Sequence, residues 1–302
     1  MTTQSGPPAV RAGVIHDIGY RHYQGPRLGR AAIIRALGWH SLRSAFGIGR
    51  GAKAKIIPVI AFAMLCVPAV VNAIGLAQGG QQVVFYDTYV FQLRVFVMII
   101  FVAAQAPELV SRDLRSHVLP LYFSRPLRRL DYPLAKLGAF ILACLALLEI
   151  PLLLLYLGAI SQAHGGSAIW AQTRALIPGL LVGLAWAVLL ATIGLALASL
   201  SGRRAYATGS IAICFFLSWA LAGLLRGVTS ENGLGAGTGA RLSGLVSPFT
   251  VLDGLRQWLG GTSPGPLPRP GDLGVAYGVL FVLMLAAAAG GLAARYRKAG
   301  IS

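Results

Sequence analysis

Acidic residues are scarce in this sequence: nine Asp and Glu stand among 302 residues, against 26 Lys and Arg. Charged residues of both signs make up only 12% of the chain, and cysteines number three. Several chemistries are excluded by what is missing. A phosphate loop needs a lysine directly after a glycine, and none of the four lysines, Lys53, Lys55, Lys136 and Lys298, follows one, so the chain has no Walker A motif. The pattern His-Glu-x-x-His does not occur, and the histidines at 16, 22, 40, 117 and 164 lack helical metal-ligand spacing. His16 with Asp17 and His22 is the one local cluster, and its surroundings suit a surface segment better than a metal or catalytic site. Cys66, Cys144 and Cys214 fall in apolar stretches at unrelated spacings, which suits packing as small apolar residues rather than disulfides or metal ligation.

What the sequence has in abundance is apolar surface. Hydrophobic residues make up 56% of the chain and the mean hydropathy is +0.70, too apolar for a soluble chain of this size. A helix needs about 20 apolar residues to cross a hydrocarbon slab roughly 30 Å thick. Four stretches, Ile56 to Gln78, Ala175 to Leu200, Ala205 to Leu225 and Leu273 to Ala294, meet that demand without a charge. Two more, Phe85 to Ala106 and Leu134 to Ile160, are as long but carry Arg94 and Glu149. The expectation is an all-α integral membrane protein with six spans. Prolines at 58, 68, 151 and 178 predict kinks rather than breaks, because neighbouring helices can satisfy the freed backbone groups.

Orientation follows from the basic residues. Twenty of the 26 Lys and Arg fall in residues 1–55, 111–136, 203–204 and 295–298, all on one side of a six-span chain. The positive-inside rule places that side, with both termini, in the cytoplasm. Residues 1–55 then form a basic cytoplasmic segment without the apolar core of a cleavable signal, 56–294 the membrane domain and 295–302 a basic tail. The net charge of +17 is explained by topology and by contact with anionic lipid. No aromatic-interleaved basic surface points to nucleic acid as a partner.

Two segments outside the spans carry helical patterns. Residues 28–50 predict an amino-terminal interfacial helix, with Leu28, Trp39, Leu42 and Phe46 on one stripe, Ile33, Ile34 and Leu37 opposite, and arginines at headgroup level. Between spans five and six, Val251, Leu252, Leu255, Trp258 and Leu259 form an apolar stripe while Asp253, Arg256 and Gln257 face away. That pattern predicts a short helix lying in, or dipping into, the outer leaflet.

The segment between spans two and three is the most informative. Glu108 to Leu119 reads as an acidic and basic helix, followed by a Leu-rich turn, Ser124-Arg125-Pro126, and Tyr132 to Lys136 leading into span three. That order resembles the corresponding loop of the permease subunits of type-2 ABC exporters, with the type V exporter fold. Ser116-His117 stands where many members have Gly-Thr, and Tyr20 to Arg27 is similar to a segment of actinobacterial permeases of this kind. The likeness covers about 30 residues in motif and the whole chain in topology.

What the resemblance implies is an ATP-driven transport subunit of the cell membrane, not an enzyme itself. Glu108, Arg112, Asp113, Arg115 and His117 would form a coupling helix docked on a separately encoded ABC ATPase. That partner would bind ATP and Mg, this chain would hold no cofactor, and a second permease chain, identical or related, would complete the pathway. The mostly apolar spans suit an amphipathic, lipid-like or drug-like cargo. An intramembrane enzyme would need paired acids or histidines at one depth, where the spans offer Glu149 alone, and a secondary transporter would favour an inverted repeat, which is not seen. Arg94 lies roughly 21 Å along its helix from Glu108, and Glu149 roughly 20 Å from Lys136, so the two charges share a depth where each is expected to partner the other or a common polar cavity.

Overall fold

The computed structural model describes residues 25, 29–78, 86, 91–116, 120, 122, 124, 127–229, 238–260 and 269–298. These residues are helical with no strand among them. In chain order the helices are α1 (Arg30–Ala45), α2 (Ile56–Ala77), α3 (Phe91–Leu109), α4 (Ser111–Arg115), α5 (Asp131–Ser161), α6 (Gly166–Ser199), α7 (Arg204–Thr229), α8 (Thr238–Ser243), α9 (Pro248–Trp258) and α10 (Gly274–Lys298). Six of them, α2, α3, α5, α6, α7 and α10, are long and apolar enough to cross a membrane. Five begin or end close to the expected bounds, whereas α6 starts nine residues earlier than Ala175, taking in Trp170 and Arg174. α2, α5 and α6 run on through Pro68, Pro151 and Pro178.

α3 occupies the centre, with 83% of its most apolar stretch buried, against 17% for α2 and α7 and 11% for α10. Apolar side chains all round it explain the position: Val95, Val97, Met98, Phe101, Val102 and Ala106 are enclosed on different faces. α2, α6 and α7 surround it, and α5 packs against α2 and α6. Close approach depends on small residues, as in other membrane bundles. Gly194 of α6 lies where a Cβ would strike Val102 of α3, and Gly158 of α5 lies against the backbone of Ala73 in α2. The peripheral helices turn Val59, Ile60, Val67, Ile213, Leu217, Leu224, Val279 and Val282 outward. A contiguous apolar belt of this kind is unstable in water and at rest in lipid.

The two short amphipathic helices bury residues beyond the stripes their periodicity suggests. α1 buries Leu37, Ser41 and Ala45 against α5 and α3, and leaves Trp39 62% exposed. Of the expected stripe, Leu42 and Phe46 are half-buried against the core, with the Phe46 ring 6.3 Å from that of Phe101, Trp39 alone turns out, and Leu28 lies outside the described residues. The Ser41 hydroxyl donates to the Leu37 carbonyl at 2.7 Å, so a polar side chain enters the contact without an unmet hydrogen bond. α9 is enclosed on both faces, with Val251 and Leu252 of the expected stripe buried at 0% and 3% exposure. Asp253 and Arg256, expected to face away, are buried at 1% and 5% exposure, while Trp258 and Leu259 of the expected apolar stripe are exposed at 45% and 72%. α9 packs among α6, α7 and α10 rather than lying on a surface. Phe249 at its start meets Trp186 of α6 and Phe215 of α7, with ring centroids 5.4 and 5.6 Å apart.

The helix expected over Glu108 to Leu119 is divided. Glu108 belongs to the last turn of α3, Val110 leaves helical geometry at φ −121° and ψ −52°, and α4 spans only Ser111–Arg115. Residues 117–119 lie outside the described residues.

Candidate functional site at the basic end of the bundle

α1, the start of α2, the end of α3, α4, the starts of α5 and α7 and the ends of α6 and α10 meet at one end of the bundle. Helix termini expose unpaired backbone groups, and this end satisfies them with side chains. Ser111 Oγ donates to the Ala198 carbonyl at 2.8 Å, and Arg295 Nε to the Ser199 carbonyl at 3.2 Å, so the last turn of α6 is tied to α4 and α10. Lys136 Nζ donates to the Leu109 carbonyl at 2.6 Å, placing a cation on the carboxyl end of α3 where the helix dipole favours it.

Among the described residues, the acids at this end are engaged within the chain. Asp113 accepts from Lys136 Nζ at 2.7 Å and from the Tyr132 hydroxyl at 2.6 Å. Tyr132 in turn stacks between Tyr122 and Tyr296, at 5.3 and 5.4 Å. Glu108, 7% exposed, accepts from Arg50 before α2 and pairs through its other oxygen with Arg204 at the start of α7. Asp131 takes both donors of the Arg30 guanidinium, at 2.5 and 2.6 Å, and the Arg128 backbone N–H at 2.8 Å. Those hydrogen bonds to Asp131 raise the pKa of Arg30 above its ordinary value. Five elements are thus pinned by three carboxylates.

That engagement divides the residues expected to couple to a partner. Glu108 and Asp113 hold α3 and α4 to the bundle. Arg112 and Arg115 are exposed on α4, and neither forms an ion pair among the described residues. His117 lies outside the described residues, as do His16, Asp17, His22 and most of the segment Tyr20 to Arg27. Between α1 and α4 a cavity of about 660 Å³ opens, lined by His40, Arg43, Arg50, Arg112, Asp113 and Lys136 among others. Among the described residues no group of His, Cys, Asp or Glu is placed to hold a metal, and the three cysteines are free.

The two charges within the spans flank the same stretch of α6. Arg94, 2% exposed, has its guanidinium 6.0 Å from the Trp186 ring centroid. Glu149 rests against Gly183, one turn earlier, where an added Cβ would collide with Oε1. They share a depth and are in electrostatic reach of each other, yet among the described residues no ion pair joins them. Both Glu149 oxygens are buried without a hydrogen-bond partner. The expected partnership is one of field rather than contact.

The sequence reading missed a second polar core at the opposite end. Asp253 accepts from Arg256 at 2.9 Å, with the two side chains 0% and 3% exposed, and from Gln257 Nε2 at 2.9 Å. Their spacing of three and four residues was the available signal, since it places them on one helical face. Comparison with known protein families and with curated proteins finds no match to this chain.

Proposed function

We propose that this chain is the transmembrane permease subunit of a type-2 ABC exporter of the cell membrane, driven by a separately encoded ATPase and paired with a second permease chain. The observation that supports the reading best is the mounting of α4. It leaves Arg112 and Arg115 outward while Ser111, Asp113 and the adjoining Glu108 tie it to α2, α5, α6 and α7. A displacement of α4 would therefore move several spans together. On this reading the basic end faces the cytoplasm with both termini, and α1 lies at the interface with Trp39 toward lipid. α9 enters the bundle from the outer side.

In the mechanism this implies, the partner binds ATP and Mg and changes shape on binding and hydrolysis. Arg112 and Arg115 take up acidic groups of the partner, and α4 transmits the motion through the Asp113–Lys136 contact to α5 and through Glu108 to α7. A permease pair with two packings of similar energy then alternates between inward-open and outward-open states. The test is reconstitution in liposomes with and without the ATPase. Nucleotide turnover and cargo movement should appear only together, and a disulfide between a cysteine at 112 or 115 and the ATPase should trap the complex. Robust hydrolysis by the chain alone, after contaminants are removed, would sink the proposal.

One observation favours a rival. The Glu149 carboxylate, buried without a hydrogen bond, is a feature a proton- or cation-coupled secondary transporter would use. Uptake or efflux driven by an ion gradient in liposomes holding this chain alone, and lost in Glu149→Gln, would select that reading.

A further inference from the structure

At the basic end, α2, α3, α4 and α7 enclose an open cleft of about 1280 Å³ whose polarity changes with depth. Its rim carries Arg115, Arg203 and Arg204, and its floor is built from Ile57, Ala104 and Leu114 with the first turns of α7. The gradient runs along the span axes. Ala104 lies one turn below Glu108, and Thr208, also lining the cleft, lies one turn into α7 from Arg204, so these two sit about 6 Å beneath the level of Glu108 and Arg204, with Leu114 beside Arg115 on α4 closing the apolar wall above them.

Three arginines converge on this rim for identifiable reasons. Gly202 in the turn between α6 and α7 comes against the end of α4, where a Cβ would stand 3.8 Å from the Arg115 backbone nitrogen, and so sets Arg115 beside Arg203. The Arg203 guanidinium is held 5.8 Å from the ring centroid of Tyr206, itself 65% exposed at interface level. Arg204 is engaged with Glu108, but Arg115 and Arg203 meet no carboxylate among the described residues. Guanidinium groups grouped in this way match a phosphate oxyanion, which accepts their forked donors.

We infer that this cleft binds an anionic phospholipid of the adjoining leaflet, its phosphate on Arg115, Arg203 and Arg204 and the upper part of an acyl chain over Ile57, Ala104 and Leu114. A free phosphate would satisfy the rim and leave the floor without a ligand. The cleft is also continuous with the outward faces of α2, where Ile56, Val59 and Ile60 are exposed, so a chain can leave it into the bilayer. The site needs only the membrane and this chain; when it is filled, Arg115 is taken by the phosphate and Arg112 is left to meet the ATPase of the proposed function.

The full chain is reconstituted in nanodiscs of phosphatidylcholine with increasing phosphatidylglycerol, and lipid retained after extraction is counted by native mass spectrometry. A photoactivatable phosphatidylglycerol maps the contact. Phosphatidylglycerol should be retained in preference to phosphatidylcholine and cross-link to α4 or to the start of α7. Each arginine near the surface contributes about fivefold to such binding, so Arg115→Gln with Arg203→Gln should reduce the preference by at least tenfold. Arg174→Gln at the other end should leave it unchanged, and Arg115→Lys with Arg203→Lys should retain most of it. Thr208→Phe, which fills the floor and keeps the charges, should reduce binding separately and so guards against a misfolded arginine variant. An unchanged preference in the double Gln variant would overturn the inference. So would equal competition by glycerol phosphate, which means a site for free phosphate, or lipid-independent disulfide formation between two copies carrying Thr208→Cys, which means that a second chain covers the cleft.

Discussion

The two ends of this bundle handle charge in opposite ways. At the basic end, carboxylates draw arginines and a lysine from distant parts of the chain, with Glu108 reaching Arg50 and Arg204 and Asp131 reaching Arg30; these arginines remain partly in solvent, while Lys136 on Asp113 is buried. At the other end Asp253 and Arg256 pair within one helix, with Gln257 also on Asp253, and are sealed from solvent. The first arrangement ties elements together at the membrane surface, where water softens the loss of any one partner. The second places a buried ion pair of one helix among spans, where no water replaces a lost partner.

The sharpest way to break that contrast is at α9. Asp253→Ala should destabilise the protein by about 3–5 kcal/mol, because it removes one member of a buried ion pair. Asp253→Ala with Arg256→Met should recover much of the loss. Unfolding in detergent followed by helical content measures both, and a double variant no more stable than the single one would show that the pair is not the source of the cost.

Glu108→Gln should cost less, about 1.5–3 kcal/mol, since it weakens two charge-assisted hydrogen bonds whose donors keep some hydration. Arg204→Gln, on a side chain 60% exposed, should cost about 1 kcal/mol or less. Equal losses from Glu108→Gln and Asp253→Ala would erase the difference between the ends.

Between the two ends, Arg94 and Glu149 test whether charges at one depth act as a pair without contact. A double-substitution cycle with Arg94→Gln and Glu149→Gln should give a coupling of about 1 kcal/mol or less. A coupling of several kcal/mol would require the direct ion pair that the structure does not contain.

The smallest effect on stability belongs to the outward cations of α4. Arg112→Glu with Arg115→Glu should shift unfolding by about 0.5 kcal/mol or less, as for other surface substitutions, while abolishing partner-dependent nucleotide turnover if the proposed function holds. A large loss of stability would instead make them structural. Transport that survives unchanged would remove them from the proposed coupling surface.

Much of the fold was legible because the bilayer imposes a local rule. Length and apolarity decide whether a stretch can span, and both are properties of consecutive residues, so α2, α3, α5, α6, α7 and α10 emerge from hydropathy alone. The surplus of Lys and Arg on one side is local in the same sense. The end of α3 also carried its polar residues in plain view, and Glu108, Arg112, Asp113 and Arg115 do lie together at the basic end.

What only the tertiary structure decided is which polar group meets which, and which face of a short helix turns inward. Six acids among the described residues could each have met any of many cations, and the choice of Arg50 and Arg204 for Glu108 depends on helices far apart in sequence. The burial of the polar face of α9 along with Val251 and Leu252 has the same origin. A hydrophobic stripe must point inward when water is outside, but where the outside is also apolar part of it can face out and a polar face can be enclosed. Asp253 and Arg256 find their best surroundings in each other within the bundle, and Trp258 and Leu259 lose little by facing out. Sequence periodicity measures how far a helix has two faces; the solvent on each side determines which of them is buried.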